Sequence, residues 1–302
     1  MKTIAFTKMH GTGNDYIYLN FLTGASALPG LTPDDIPALC PVLSPRHRSV
    51  GADGVVGICP PEDASADAKM RMFNADGSES PMCGNAIRCV GKFLYDRGIV
   101  KKEHMVIETL SGPKTLTLTA ENGVCTRVSA DMGYAVTEPA DIPLVYGGKT
   151  EPMIGRICEI GGYLCRATAL SMGNPHCVLF TNDNDFLPDD PYEIDLETIG
   201  PRFENDAQFP ERVNTEFVRV LGENELQMRV WERGSGETYA CGTGTCAAAA
   251  AAVLCGYCRA DEPVTVHLRG GDLTITVSGD RRVTMEGGAV TVYDGVYYRE
   301  KS

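Results

Sequence analysis

Along most of this chain hydrophobic and polar positions alternate; they seldom recur at helical spacing. Period-two runs rich in β-branched and aromatic residues predict strands at TIAFTKM (3–9), YIYLNF (16–21), MRMF (70–73), MVIETL (105–110), KTLTLTA (114–120) and CTRVSADM (125–132). CVLF (177–180), NTEFVRVL (214–221), LQMRVW (226–231), VTVHL (264–268), LTITV (273–277), VTMEG (283–287) and AVTVY (289–293) read the same way. Turn formers such as GPK, ENG and SGD separate several of them. Two segments break the alternation and predict helices over 85–95 and 243–255. Asn85 and Thr243 are placed as N-caps and Gly256 as the C-terminal glycine. The alanine run 247–252 is helical by propensity. With almost no polar side chain over two turns, it is expected to be buried on every side.

The two helices belong to a repeat. MRMFNADGSESPMCGNAIRC (70–89) lies over MRVWERGSGETYACGTGTCA (228–247) without a gap, at an offset of 158. Met70 matches Met228, Arg71 Arg229, Phe73 Trp231, Glu79 Glu237, Cys83 Cys241 and Gly84 Gly242. A weaker echo joins Gly13-Asn14 to Gly173-Asn174 at an offset of 160. Two matched segments in the same order indicate a duplicated half. Each copy reads as a strand, a turn-rich loop, a cysteine and a helix. The expected fold class is therefore α+β: two pseudo-symmetric domains, each a mostly antiparallel sheet wrapped around a central helix, with a boundary near 130–133.

Length agrees, since 302 residues suggest about two domains. A net charge of −13 without a Lys/Arg cluster argues against nucleic acid. No apolar run has the length of a signal or a membrane span, so no membrane is expected and the cytoplasm is the expected compartment. Twelve cysteines are then read as reduced thiols, most of them in the core. Cys255-Gly-Tyr-Cys258 has redox or zinc spacing. It sits at the wrong end of its helix for a thioredoxin-type thiol, however, and no second CxxC completes a zinc site. No metal is expected.

Cys83 and Cys241 each stand at a helix N-terminus, where free N–H groups favour thiolate and lower a thiol pKa of about 8.5. A lone cysteine at a glycine-rich helix start is ordinarily packing; two at matched positions of a duplication reverse that reading. If the halves face each other about a pseudo-twofold axis, the thiols flank one bound molecule. The amides near Gly84-Asn85 and Gly242-Thr243 then suit its carboxylate. Such a pair removes an α-proton on one face and returns one on the other. CGTGT lacks the lysine of a phosphate loop, and no cysteine shows a protease signature.

KMHGTGNDY (8–16), RHRSVGADG (46–54), FNADGSE (73–79), CGNAIRC (83–89), SMGNPHC (171–177), RVNTEF (212–217), ERGSGET (232–238), ACGTGTCAA (240–248) and YDG (293–295) run through the chain in one order. In this it resembles the diaminopimelate epimerase family, cofactor-independent enzymes of lysine and cell-wall synthesis. The resemblance implies a homodimeric epimerase of LL- and meso-diaminopimelate, with Cys83 and Cys241 as base and acid. It implies that Asn14, Gly54, Asn74, Gly84, Asn85, Asn174, Asn214, Glu232, Arg233, Gly242 and Thr243 bind substrate. His176 and Glu232 are implied to tune the thiols, and Tyr293 to contact a second subunit. The final strand is implied to return, giving domains 1–130 with 287–302 and 131–286. Gly54 departs from members with glutamine there and leaves only a backbone contact; Met82 and Ala86 also depart. Racemases of proline or hydroxyproline are the nearest alternative, but proline has no distal zwitterion for Glu232 and Arg233. A redox or metal protein built on Cys255 and Cys258, or a binding module with no need of two thiols, fits less of the pattern.

Overall fold

The computed structural model describes residues 2–22, 28, 30–148 and 150–299. The chain divides into two compact units, Met1–Asp131 with Gly287–Ser302, and Met132–Glu286. The first contains β1 (Lys2–Gly11), β2 (Asn14–Asn20), α1 (Ile36–Leu43), β3 (Gly54–Cys59), β4 (Ala68–Asn74), β5 (Glu79–Ser80), α2 (Gly84–Asp96), β6 (His104–Glu108), β7 (Lys114–Glu121) and β8 (Val124–Tyr134). The second contains β9 (Arg156–Ile160), β10 (Tyr163–Ser171), β11 (Pro175–Phe180), α3 (Leu196–Glu204), β12 (Asn214–Gly222), β13 (Glu225–Glu232), β14 (Gly236–Glu237), α4 (Gly242–Leu254), β15 (Pro263–Leu268), β16 (Gly271–Val277) and β17 (Arg282–Gly287). A last strand, β18 (Val290–Arg299), pairs with β1.

Strand pairing repeats from unit to unit. In the first, β18–β1–β2 is antiparallel, β2–β3 parallel, β3–β4–β5 antiparallel, β4–β6 parallel and β6–β7–β8 antiparallel. The second follows the same scheme: β9–β10–β11 antiparallel, β11–β12 parallel, β12–β13–β14 antiparallel, β13–β15 parallel and β15–β16–β17 antiparallel. Register is kept as well. Tyr16 lies opposite Gly54 and His176 opposite Asn214, both pairs 160 apart. Matched side chains even make matched ion pairs, Arg71 Nε to Glu79 and Arg229 Nε to Glu237, each at 2.8 Å across its hairpin. The expected α+β class, sheets around a central helix, is what the chain adopts.

The helices begin differently from expectation. Cys83 (φ −137°) and Cys241 (φ −109°) are the N-caps, and Gly84 and Gly242 are the first helical residues. Asn85 and Thr243 are already inside the first turn. At the second helix the sulfur takes the capping role, because Cys241 Sγ accepts the Gly244 N–H at 3.3 Å. Both helices then end on a glycine with positive φ, Gly98 and Gly256, again 158 apart. The following amides reach back to the Leu94 and Ala252 carbonyls at 3.0 and 2.8 Å. Residues 247–252 are at most 1% exposed, as the alanine run demanded.

Strand alternation gives each sheet a second covered face. Ile17, Leu19, Val55 and Phe73 pack with Ile36, Leu39 and Leu43 of α1. Phe217 and Trp231 pack with Leu196, Ile199 and Phe203 of α3. These helices had no sequence signal because both are short and carry an internal proline, Pro41 and Pro201. Their N-caps, Asp35 and Asp195, are 160 apart. With both faces covered, β3 is buried at all six positions and shows no alternation to read. No helix among the described residues is long and apolar enough to cross a membrane.

Small residues are what let α4 lie inside its sheet. Replacing the fully buried Ala249 by Leu is expected to destabilise the protein by about 1–3 kcal/mol through overpacking. The measurement is the urea midpoint at unchanged slope, and an unshifted midpoint would count against this packing.

Candidate active site

In the first unit the site is built around Cys83, half-buried at the entrance of α2. Its thiol donates to Asn14 Oδ1 at 3.5 Å, and the Tyr16 hydroxyl donates to its sulfur at 3.7 Å. Asn14 is fixed in turn by donating Nδ2 to Asp53 at 2.7 Å. Arg46 braces that carboxylate and Asp15, at 2.6 Å each. Gly54 has no room for a side chain, since a Cβ there would lie 2.1 Å from the Phe73 carbonyl oxygen. Only its backbone can serve a ligand. Asn74, opposite Gly54, is exposed and donates Nδ2 to Ser78 at 2.9 Å. Asn85 is buried, its Oδ1 turned inward to accept from Arg88 Nη2 at 2.9 Å.

The second unit arranges the matching positions with different chemistry. Cys241 is buried, with Thr243 Oγ1 3.5 Å from its sulfur. A polar chain leads inward from Thr243, which accepts from Asn174 Nδ2 at 3.4 Å. Asn174 Oδ1 meets His176 Nε2 at 3.0 Å, and His176 Nδ1 meets Glu216 Oε1 at 2.7 Å. Because Asn174 Oδ1 can only accept, Nε2 carries a proton. A second proton must lie between Nδ1 and the carboxylate. His176 and Glu216 are both fully buried, and Glu216 Oε2 has no hydrogen-bond partner. Gly244 makes the approach possible, as a Cβ there would be 2.6 Å from Glu216 Oε1 and 3.2 Å from Cys241 Sγ. Burial pushes the Glu216 carboxyl above its ordinary pKa, against the pull of His176.

The expectation of a lowered thiol pKa fails at Cys241. Complete burial pushes it well above the ordinary value, and the charges of Glu232 and Glu216 push the same way. The hydrogen bonds from Thr243 and the Gly244 amide oppose this and lose. Desolvation outweighs the helix N-terminus here.

The remaining residues of this unit form one loop cluster. Asn214 Nδ2 donates to the Pro175 carbonyl at 2.9 Å, while its Oδ1 accepts the Arg233 amide at 3.0 Å. Arg233 Nη1 donates to the Glu211 carbonyl at 3.0 Å, and Glu232 accepts a short hydrogen bond from Thr238. Tyr293 stands apart on β18, 44% exposed and edge-on to Phe6. Cys255 and Cys258 are at the far end of α4, Cys255 against Thr168 Oγ1 at 3.4 Å. Among the described residues no group of three or more His, Cys, Asp or Glu could hold a metal ion.

Two residues beside the sulfurs were missed from sequence. Tyr16 occupies the register position of His176, so the 160-residue echo, extended by two residues, would have found it. Glu216 corresponds by the same offset to the fully buried Val56, which marks its position as interior. Glu216→Gln removes a negative neighbour of Cys241 and favours the thiolate. The pH midpoint for Cys241 alkylation by iodoacetamide, followed by peptide mass spectrometry, is expected to move down. A midpoint that stays or rises would show that Glu216 does not oppose ionisation.

A family model described as diaminopimelate epimerase matches residues 6–138 and 168–292. A diaminopimelate epimerase of Desulfovibrio desulfuricans is 46% identical over 300 residues, covering 98% of this chain and 98% of its own. That of Geobacillus thermodenitrificans is 46% identical over 298 residues (99% and 98%), and that of Methanococcus maripaludis 45% over 291 (96% and 98%). Among solved structures, a hydroxyproline epimerase of Agrobacterium vitis superposes with a TM-score of 0.65 at 15% identity, covering 98% of this chain and 92% of its own. A probable proline racemase of Agrobacterium radiobacter gives 0.66 at 17% (99% and 93%). At that identity the likeness is one of fold.

Proposed function

The chain belongs to the diaminopimelate epimerase family, and from that premise we propose that it interconverts LL- and meso-diaminopimelate by proton transfer between Cys83 and Cys241. It is an isomerase acting on an amino acid. The observation that carries the two-thiol reading is the repeated cap: each unit's central helix starts on a cysteine, at the same position of the repeat.

The mechanism needs both sulfurs at one α-carbon, on opposite faces. In the state described, Cys241 is held as a thiol by burial and two carboxylates, which suits it to deliver a proton. Cys83 is then the group that acts as base after giving up the proton it directs at Asn14 Oδ1, with the Tyr16 hydroxyl left donating to its sulfur. In the reverse direction the roles exchange. The α-proton of an amino acid is very weakly acidic, so the carboxylate must be stabilised as it gains enolate charge. The main-chain amides of Gly84 and Asn85 and of Gly242 and Thr243, at the starts of α2 and α4, are the donors for this, each worth about 3–4 kcal/mol in a dry site. No cofactor enters this scheme. Asn14, Asn74, Asn174 and Asn214, with the backbone of Gly54, hold the amino and carboxylate groups. Glu232 and the planar fork of Arg233 take the distal ammonium and carboxylate. A proline-type substrate has no distal ammonium and carboxylate to offer Glu232 and Arg233.

In this reading the domains 1–130 with 287–302 and 131–286 are the two halves of the catalytic machinery, working in the cytoplasm as a homodimer. The exposed Val292, Tyr293, Val296 and Tyr298 of β18 form the surface for the second copy. Cys255 and Cys258 have no part in turnover.

Turnover in deuterated water is expected to label the α-carbon. Cys83→Ala and Cys241→Ala are each expected to lower kcat about a thousandfold or more in both directions, while Cys255→Ser stays active. A single cysteine variant that still epimerises would exclude the two-base scheme. Arg233→Lys keeps the charge but loses the fork, and is expected to raise KM about tenfold. Steady-state kinetics with LL-diaminopimelate reads this, and an unchanged KM would remove Arg233 from distal binding.

A further inference from the structure

Glu204 is the last residue of α3 and its side chain is only 9% exposed. Its carboxylate nevertheless collects three donors. Oε1 accepts from the Gly234 amide and from Arg212 Nη1, both at 2.8 Å, and Oε2 accepts from Trp231 Nε1 at 2.7 Å. Its main-chain carbonyl takes the Val213 amide at 3.3 Å. Trp231 and Gly234 bracket the dipeptide Glu232-Arg233. Arg212 and Val213 lead directly into Asn214, which accepts the Arg233 amide. One carboxylate thus fixes both ends of the dipeptide and the segment it lies against.

The surroundings are shaped for this contact. Gly200, one turn earlier on α3, admits the indole, since a Cβ there would lie 2.3 Å from the Trp231 ring. Among its described residues the other unit has no such clamp. At the 160-residue offset that joins the N-caps of α1 and α3, Glu204 corresponds to Ser44, whose buried hydroxyl has no hydrogen-bond partner. At the 158-residue offset of the strand–loop–helix repeat, Trp231 corresponds to Phe73, which has no N–H to donate. Among the described residues, the clamp therefore occurs only in the unit that carries Glu232 and Arg233.

We propose that Glu204 is a positioning residue for substrate recognition, setting the backbone of Glu232-Arg233 so that both side chains meet the end of the substrate remote from the reacting carbon. The identity of that substrate rests on the function proposed above; the clamp itself does not. A buried carboxylate with donors on both oxygens tolerates no neutral isostere well. Glu204→Gln keeps the volume but presents an amide N–H2 either to the indole N–H or to the Gly234 N–H. A space-filling role would leave Gln equal to wild type.

Glu204→Gln and Glu204→Ala are both expected to raise KM for LL-diaminopimelate about tenfold or more, with a smaller fall in kcat. In both, the amides of Arg233 and Gly234 should exchange hydrogen faster, and the emission of Trp231, the sole tryptophan, should shift. A Gln variant with wild-type KM, or with those amides still protected, overturns the proposal. If the wild-type protein leaves LL-diaminopimelate unchanged, the proposed function falls, and amide exchange and indole emission alone decide on the clamp.

Discussion

The first turn of a helix has N–H groups that its own carbonyls cannot reach. On a surface water takes them. The central helices here are wrapped by strands, α4 so completely that its alanines are all but inaccessible, so these amides must be answered by what stands at the entrance. At α4 the Cys241 sulfur answers one of them, and the glycine beside it is the first helical residue. Packing and chemistry are set by the same few residues. The small side chains that let the helix go inside also leave donors and a sulfur at its mouth.

Much of this was legible because a duplication writes its message twice. The Cys83/Cys241 match, the hairpins before them and the alanine helix could all be read from spacing and propensity. The failures have identifiable physical causes. The helices α1 and α3 are short and interrupted by Pro41 and Pro201, so their local signal is that of a broken segment, and tertiary packing onto the sheet makes them. β3 is covered on both faces and therefore lacks the alternation that identifies a half-exposed strand. Asn85 and Thr243 have good capping chemistry, but the extended cysteine before each glycine is the residue outside the helix. Nothing in NTEFVRVL sets Glu216 apart from the rest of its strand; the buried Val56 at its repeat position marks it as interior.

Scaffold symmetry and chemical symmetry part company at the sulfurs. Backbone register places Tyr16 where the second unit has His176, Val56 where it has Glu216, and Gly54 where it has Asn214. One sulfur consequently has a phenol and an amide for neighbours. The other has a buried imidazole–carboxylate pair behind it and is pushed towards the protonated state. For the two-thiol inversion proposed above this difference is useful. Two identical thiols would have no reason to hold their protons unequally, and a base facing a base or an acid facing an acid achieves nothing. Burial of Cys241 comes first, and the charges of Glu232 and of Glu216, which His176 and Gly244 accommodate, add to it. The repeat supplies two matched positions, and substitutions behind one of them make the positions unequal.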